Sequence, residues 1–225
     1  MKKLNQILRE GVYDPGIFKA FFLAGGPGSG KTFVTQSAFA GTGLKVVNSD
    51  AVFERGLKKA GLSLKMPDEE EYFRNIIRAK AKMTTATALD TYIQGRLGLV
   101  IDATGRDINV INNQKSMLDL VGYDSYMIFV NTSLQVALER NRTRTRSVPE
   151  AITRKSWQTV QNNIGKFQNL FGRSNMIVVD NNNAKENELL NVYKEVRRLI
   201  NVPVQNYVAK KWIENELRLK RQNAR

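Results

Sequence analysis

The sequence predicts an α/β protein: a parallel sheet of five strands with helices on both faces. Three observations predict it. Short apolar runs alternate five times with segments of helical periodicity. The connections between runs are long enough for crossovers, which parallel neighbours require. The first run, Ala20-Phe21-Phe22-Leu23-Ala24, leads into Gly25-Gly26-Pro27-Gly28-Ser29-Gly30-Lys31-Thr32, which satisfies G-x-x-x-x-G-K-[ST] at every fixed position.

In order along the chain, residues 3–10 have the pattern of a short amphipathic helix, and Asp14-Pro15-Gly16 is a turn signal before the first strand. A helix follows the glycine loop from Thr32 towards Ala40, and Gly41-Thr42-Gly43 breaks it. The second strand is Leu44 to Asn48, followed by a helix from Ala51 to about Ala60. Asp68 is placed to cap a long helix from Glu69 to Gln94, with Phe73, Ile77, Ala81, Ala88 and Tyr92 near helical spacing. The third strand, Leu97 to Asp102, is apolar nearly throughout, as a strand buried on both faces must be. A helix covers 107–121, and Tyr126 to Val130 is the fourth strand. Thr132 or Ser133 caps the next helix, which runs into Arg140-Asn141-Arg142-Thr143-Arg144-Thr145-Arg146. Ser147-Val148-Pro149-Glu150 has the form of a capping box. It opens one helix carrying Trp157, Val160, Ile164, Phe167 and Phe171. Met176 to Val179 is the fifth strand, helix 186–200 follows, and a basic helix over about 205–221 comes after Pro203. The expected organisation is one domain over 1–225. Within it, 51–96 is a helical acceptor-binding region, 140–149 a lid and 203–225 a basic C-terminal helix.

Composition narrows the chemistry. The 225 residues include 35 basic and 21 acidic side chains, a net charge of +14, which favours a polyanionic partner such as nucleic acid. There is no cysteine, so disulfide and thiol chemistry are excluded, in keeping with a reducing, cytoplasmic setting. There is no histidine either, so acid–base work falls to carboxylates, lysine or tyrosine. No apolar run reaches the ~20 residues that span a membrane, and Met1-Lys2-Lys3-Leu4-Asn5-Gln6 lacks the apolar core of a signal peptide.

The strand–loop–helix context of Gly25 to Thr32 makes it a P-loop, so a nucleoside triphosphate is the expected partner. Gly25, Gly26, Pro27, Gly28, Ser29, Gly30, Lys31, Thr32 and Phe33 form the nucleotide-binding stretch. Backbone N–H groups turn into one concavity, Lys31 reaches the β- and γ-phosphates, and the Thr32 hydroxyl holds Mg²⁺. Ligands of such sheets lie beyond the carboxyl ends of the strands, which singles out the residues following each strand. Asp50 has two roles open to it: N-cap of the helix starting at Ala51, or general base for an acceptor hydroxyl. Asp102 suits Mg²⁺ or a substrate hydrogen bond. Arg106 is either a substrate-phosphate ligand or a solvated loop charge. Arg140, Arg142, Arg144 and Arg146 suit a lid that closes on the triphosphate and excludes water; the alternative is a basic helix end favoured by the helix dipole.

Together, Gly25 to Thr32, Asn48-Ser49-Asp50, Asp102 and the arginines before Val148-Pro149 resemble the kinase domain of phage polynucleotide 5′-hydroxyl kinases and the related zeta-toxin-like kinases, over about residues 20–180. The resemblance implies a kinase-type P-loop fold with strand order 2-3-1-4-5. It also implies ATP and Mg²⁺ as cofactors, and phosphorylation of a hydroxyl on a nucleic acid or nucleotide. It gives Asp50 the role of general base, Lys31 and Thr32 places at the phosphates and Mg²⁺, and Arg142 or Arg144 a place at the transition state. By position in the sequence, Asp102 is a further metal candidate, and Asp50, Arg55, Asp102 and Arg106 are the candidate acceptor residues. These kinases carry an acceptor-binding arginine three positions after the base; here that position is Phe53, with Arg55 two further on. Two other activities share the motifs. One is phosphorylation of a nucleoside, nucleotide or sugar nucleotide; the other is nucleotide binding or hydrolysis without an acceptor.

Overall fold

The computed structural model describes residues 11–144, 148–183 and 186–223. The expected helix at 3–10, and Arg146 and Ser147, lie outside the described residues. The five strands are β1 (Lys19–Ala24), β2 (Lys45–Val47), β3 (Leu99–Asp102), β4 (Asp124–Asn131) and β5 (Met176–Asp180). All neighbours pair in parallel, in the order β2-β3-β1-β4-β5. The helices are α1 (Lys31–Ala38), α2 (Ser49–Lys59), α3 (Glu71–Gln94), α4 (Ile108–Leu120), α5 (Leu134–Thr143), α6 (Glu150–Asn162), α7 (Ile164–Phe171), α8 (Glu186–Asn201) and α9 (Tyr207–Gln222).

Successive side chains of a strand point to opposite faces, and β1 divides its residues accordingly. Ala20, Phe22 and Ala24 join a core with Ile111 and Leu118 of α4, Val160 of α6, and Phe167 and Phe171 of α7. Phe21 and Leu23 join a second core with Val34 and Ala38 of α1 and Val192, Val196 and Leu199 of α8. The central strand is therefore apolar without alternation because both of its faces are covered. A third, smaller core of Phe53, Leu57 and Ala81 binds α2 to α3, which is why α3 can run 24 residues with only Ala81 fully buried.

The structure refines several local expectations. Asn48, not Asp50, caps α2: its side chain accepts from the backbone N–H groups of Asp50 and Ala51. Asp68 does not cap the long helix; a 3-10 turn at Asp68–Glu70, preceded by Pro67, comes before α3. Arg140 and Arg142, at the start of the expected lid, lie in the last turns of α5 and form its basic end. α6 starts at Glu150, directly after Pro149, and the Glu150 carboxylate takes Arg142 and Arg154; the capping box expected at 147–150 depends on Ser147, outside the described residues. The helix expected through Phe171 is two, α6 and α7, broken at Asn163, whose Nδ2 donates to the Gly105 and Arg106 carbonyls.

One buried ion pair ties the amino edge of the sheet together. Lys19 is fully buried and its ammonium donates to Asp124 at 3.0 Å and to the Tyr126 hydroxyl at 3.2 Å. The same carboxylate accepts from the backbone N–H groups of Gln205 and Asn206, which start α9. Burial lowers the Lys19 ammonium pKa, and Asp124 works against that shift. Removing one partner strands the other, so Asp124→Ala is expected to cost about 3–5 kcal/mol in denaturant unfolding; a loss below about 1 kcal/mol would mean that the pair behaves as a surface one.

Candidate nucleotide and acceptor site

The loop between β1 and α1 is shaped by glycines that could not be replaced. Gly28 and Gly30 have φ of 78° and 86°, in the left-handed region. A Cβ on Gly28 would overlap the Ala137 carbonyl of α5, and one on Gly30 would overlap the Asn181 side-chain amide beyond β5. Gly30 is the residue before α1, so the helix N-terminus and its unpaired N–H groups face the loop's hollow. Lys31 lies inside this hollow, its ammonium donating to the Gly25 carbonyl at 2.7 Å. Burial lowers its pKa, and the nearby Asp102 carboxylate opposes the shift. Thr32 and Phe33 are exposed on the first turn of α1.

Four buried side-chain polar atoms among the described residues lack a partner: Ser29 Oγ, Thr132 Oγ1, Arg140 Nη1 and Asn181 Oδ1. All four belong to the loop or to segments that surround it. Asn181 Nδ2 donates to the Ser29 carbonyl at 2.7 Å, and Arg140 Nη2 donates to the Asn182 carbonyl at 3.2 Å. Trp157 of α6 lies over Gly26 and donates from its indole to the Thr132 carbonyl at 2.8 Å. Unsatisfied polar atoms concentrated around one loop mark a place built to bind something polar.

The parallel register aligns the strand ends, with Leu23 beside Asp102 and Val47 beside Ile101. Asn48, just past β2, links two of the predicted acids. Its Oδ1 caps α2, which sets Asp50 in the first turn, and its Nδ2 donates to Asp102 Oδ2 at 2.6 Å. Burial raises the Asp102 carboxyl pKa; Lys31 and the Asn48 amide pull it down, while Asp50 adds to the rise. Asp50 itself is half-exposed, 3.8 Å from the Arg78 guanidinium of α3, and that guanidinium stacks 4.0 Å from the Phe53 ring. A cation thus stands beside Asp50 after all, carried by α3 and lying over Phe53.

The described arginines of the predicted lid do not share one environment. Arg140 faces the glycine loop. Arg142, two residues on, points outward to Glu150 at 2.8 Å. Arg144 follows the last residue of α5 with an extended backbone and an exposed side chain, and its charge acts on both Lys31 and Asp102. Asn141 clips the segment at its base: its side chain donates to the Val148 carbonyl at 2.6 Å and accepts the Val148 N–H at 3.0 Å. Arg106 is exposed beyond β3, near Ser156 of α6, and Arg55 is exposed on α2.

Sequence reasoning missed Asn48, Arg78, Trp157, Asn181 and Asn182. Asn48 had a usable signal, since Asn two residues before an acidic first turn is a favoured cap. The others carry no local signal; their partners lie in other elements.

The strand order and the loop geometry define a kinase-like P-loop fold, which implies a nucleotide partner. A family model described as an AAA domain matches residues 21–167, and the chain belongs to that family. No curated protein matches significantly. Among solved structures, a chain of the PezAT chromosomal toxin–antitoxin system of Streptococcus pneumoniae is 17% identical, with 88% of this chain and 92% of that one covered and a TM-score of 0.53. A Chloroflexus aurantiacus protein named as a candidate kinase is 16% identical over 80% of this chain and 95% of its own, TM-score 0.53. A chain of the Pnkp1/Rnl/Hen1 RNA repair complex is 20% identical over 66% of this chain but 46% of its own length, TM-score 0.50. These neighbours share the fold, in line with the resemblance read from the motifs. Among the described residues, no helix is long and apolar enough to cross a membrane.

The double role of Asn48 is testable. Asn48→Ala should lose about 1 kcal/mol of stability with the cap. Asn48→Asp keeps the cap but sets a second carboxylate against Asp102, so it should melt below wild type at pH 8 and recover towards pH 5, as one acid of the pair takes up a proton and donates to the other. Equal melting temperatures for Asn48→Asp and wild type at pH 8 would show that the Asn48–Asp102 contact does not form.

Proposed function

We propose that this protein is an ATP-dependent kinase that phosphorylates a hydroxyl of a nucleic acid or nucleotide. One observation carries the reading: Lys31 follows β1, Asp50 follows β2 and Asp102 ends β3, all at one edge of the parallel sheet, with Asn48 bonded both to Asp102 and to the Asp50 N–H. A P-loop lysine, two carboxylates and a lid arginine are the groups that phosphoryl transfer uses. The choice of acceptor is supported by the net charge of +14 and by the shared fold of a chain from an RNA repair complex.

In this reading the triphosphate lies in the hollow from Gly25 to Thr32, and Lys31 leaves the Gly25 carbonyl for the β- and γ-phosphates. Asp50 orients the acceptor hydroxyl and takes its proton as the new O–P bond forms and the bond to ADP breaks. Arg144 stabilises charge on the transferred group, while Arg142, held by Glu150, braces the outer side of the lid. The Thr32 hydroxyl and the Asp102 carboxylate are hard oxygen donors on adjoining segments, and Asp102 is already oriented by Asn48. They suit Mg²⁺, which takes one or two protein oxygens beside phosphate and water. When bound, the ion offsets negative charge on the β- and γ-phosphates. Arg140, Asn181 and Asn182 flank the loop on the side away from Asp50 and serve the nucleotide.

A labelled-ATP screen against 5′-hydroxyl oligonucleotides, nucleosides, nucleotides and sugar nucleotides tests the reading. ATP turnover that labels none of them would overturn it in favour of a plain ATPase. Lys31→Ala should abolish transfer and leave the melting temperature near wild type. Asp50→Asn should retain ATP binding and lose about 10²–10⁴-fold in kcat; normal transfer would remove Asp50 from the chemistry. Arg144→Ala should lose about 10³-fold and Arg142→Ala far less, and the reverse order would exchange their roles.

A further inference from the structure

A cavity of about 620 Å³ lies beyond the Asp102 end of β3, between the β3–α4 loop and helices α6 and α7. Its rim carries three cations: Arg106 from the loop, Lys155 from α6 and Lys166 from α7. One carboxylate, Asp107, lines it too, but that group is engaged in capping α4 through the N–H groups of Asn109 and Val110. Ile108 and Ile152 supply apolar wall. Among the described residues, no ion pair holds Arg106, Lys155 or Lys166. The positive side is therefore not offset from within.

The cavity is joined to the reaction site by backbone. Thr104, on its wall, accepts from the Gly25 N–H of the P-loop at 3.3 Å. Trp157, next to Ser156 on the wall, covers Gly26. Asn163 is buried and grips the carbonyls of Gly105 and Arg106 at 3.0 Å each, so the cationic loop is held against α6 and α7. We propose that this cavity binds a phosphate group of the acceptor through Arg106, Lys155 and Lys166, and so selects hydroxyl substrates that already carry phosphate. The inference rests on the kinase reading of the adjoining site. Its volume is that of a pocket for a nucleotide-sized group, and arginine and lysine are the side chains that recognise phosphate. In a strand the phosphate is the one linking the terminal nucleoside to the next; in a free nucleotide it is the monophosphate.

The test uses the full chain with a non-hydrolysable ATP analogue and three probes: adenosine, adenosine 3′-monophosphate and a 5′-hydroxyl tetradeoxynucleotide. The phosphate-bearing probes should bind wild type at least about tenfold more tightly than adenosine, a gap of about 1.4 kcal/mol. Lys155→Ala/Lys166→Ala should erase that gap. Lys210→Ala/Lys211→Ala, which removes the same charge from exposed positions on α9, should preserve it. Tighter binding of the oligonucleotide than of the monophosphate identifies a strand as the source, and equal binding identifies a nucleotide. The inference is overturned if the Lys155/Lys166 variant binds the phosphate probes like wild type, if both double variants weaken them equally, or if neither phosphate probe outbinds adenosine. Parallel transfer assays separate the two readings. Cavity-dependent binding without transfer removes the kinase but not the cavity; transfer with unchanged KM in the Lys155/Lys166 variant removes only the cavity.

Discussion

Two backbones meet where Gly28 lies against the Ala137 carbonyl, and Gly30 meets the Asn181 amide in the same manner. Neither contact leaves room for a Cβ, and both residues hold a left-handed φ that a side chain would strain. Most of the site depends on these approaches. α5 is seated on the glycine loop, which sets Arg140 beside Gly30. The end of β5 is seated there too, through Asn181 and the Ser29 carbonyl. The loop is thus a packing centre as well as a cradle, and the unpartnered polar atoms around it are a cost that a bound triphosphate would offset.

The sheet contributes alignment. Because every strand is parallel, all five carboxyl ends emerge at one edge, and the register sets Asp102, Leu23 and Ile128 side by side. Asn48 then converts strand alignment into side-chain geometry. One end of its amide starts α2 with Asp50 in the first turn, and the other orients Asp102. A single uncharged side chain thereby positions two carboxylates whose charges would otherwise drive them apart. The amino edge is closed differently, by the buried Lys19–Asp124 pair and the start of α9, and carries none of the proposed chemistry.

Much of this was legible from the chain. The P-loop has a fixed spacing, so its residues and its place between strand and helix could be read directly. The strand order followed from the resemblance those motifs support. Ends of elements were less legible: Asn48 displaced Asp50 as cap because the helix begins two residues earlier than periodicity indicated, and Pro67 deferred α3 behind a 3-10 turn. The break at Asn163 was hidden because α6 and α7 both present apolar side chains to one core, so periodicity runs across it. The arginine run gave composition without direction. Helical phase separates Arg142 from Arg140, and the end of α5 at Thr143 leaves Arg144 outside the helix.

Local pattern alone determined that the chain makes five short strands, that a phosphate loop follows the first, and that acids stand at the next two strand ends. These depend on spacing within a few residues. Tertiary structure decided which charges meet: Arg78 reaching Asp50 across the α2–α3 packing, Asn181 closing on Ser29, and Arg106, Lys155 and Lys166 sharing one cavity. Those residues are separated by up to about 150 positions along the chain, and contacts at such separations are set by how whole elements pack, which no local pattern encodes.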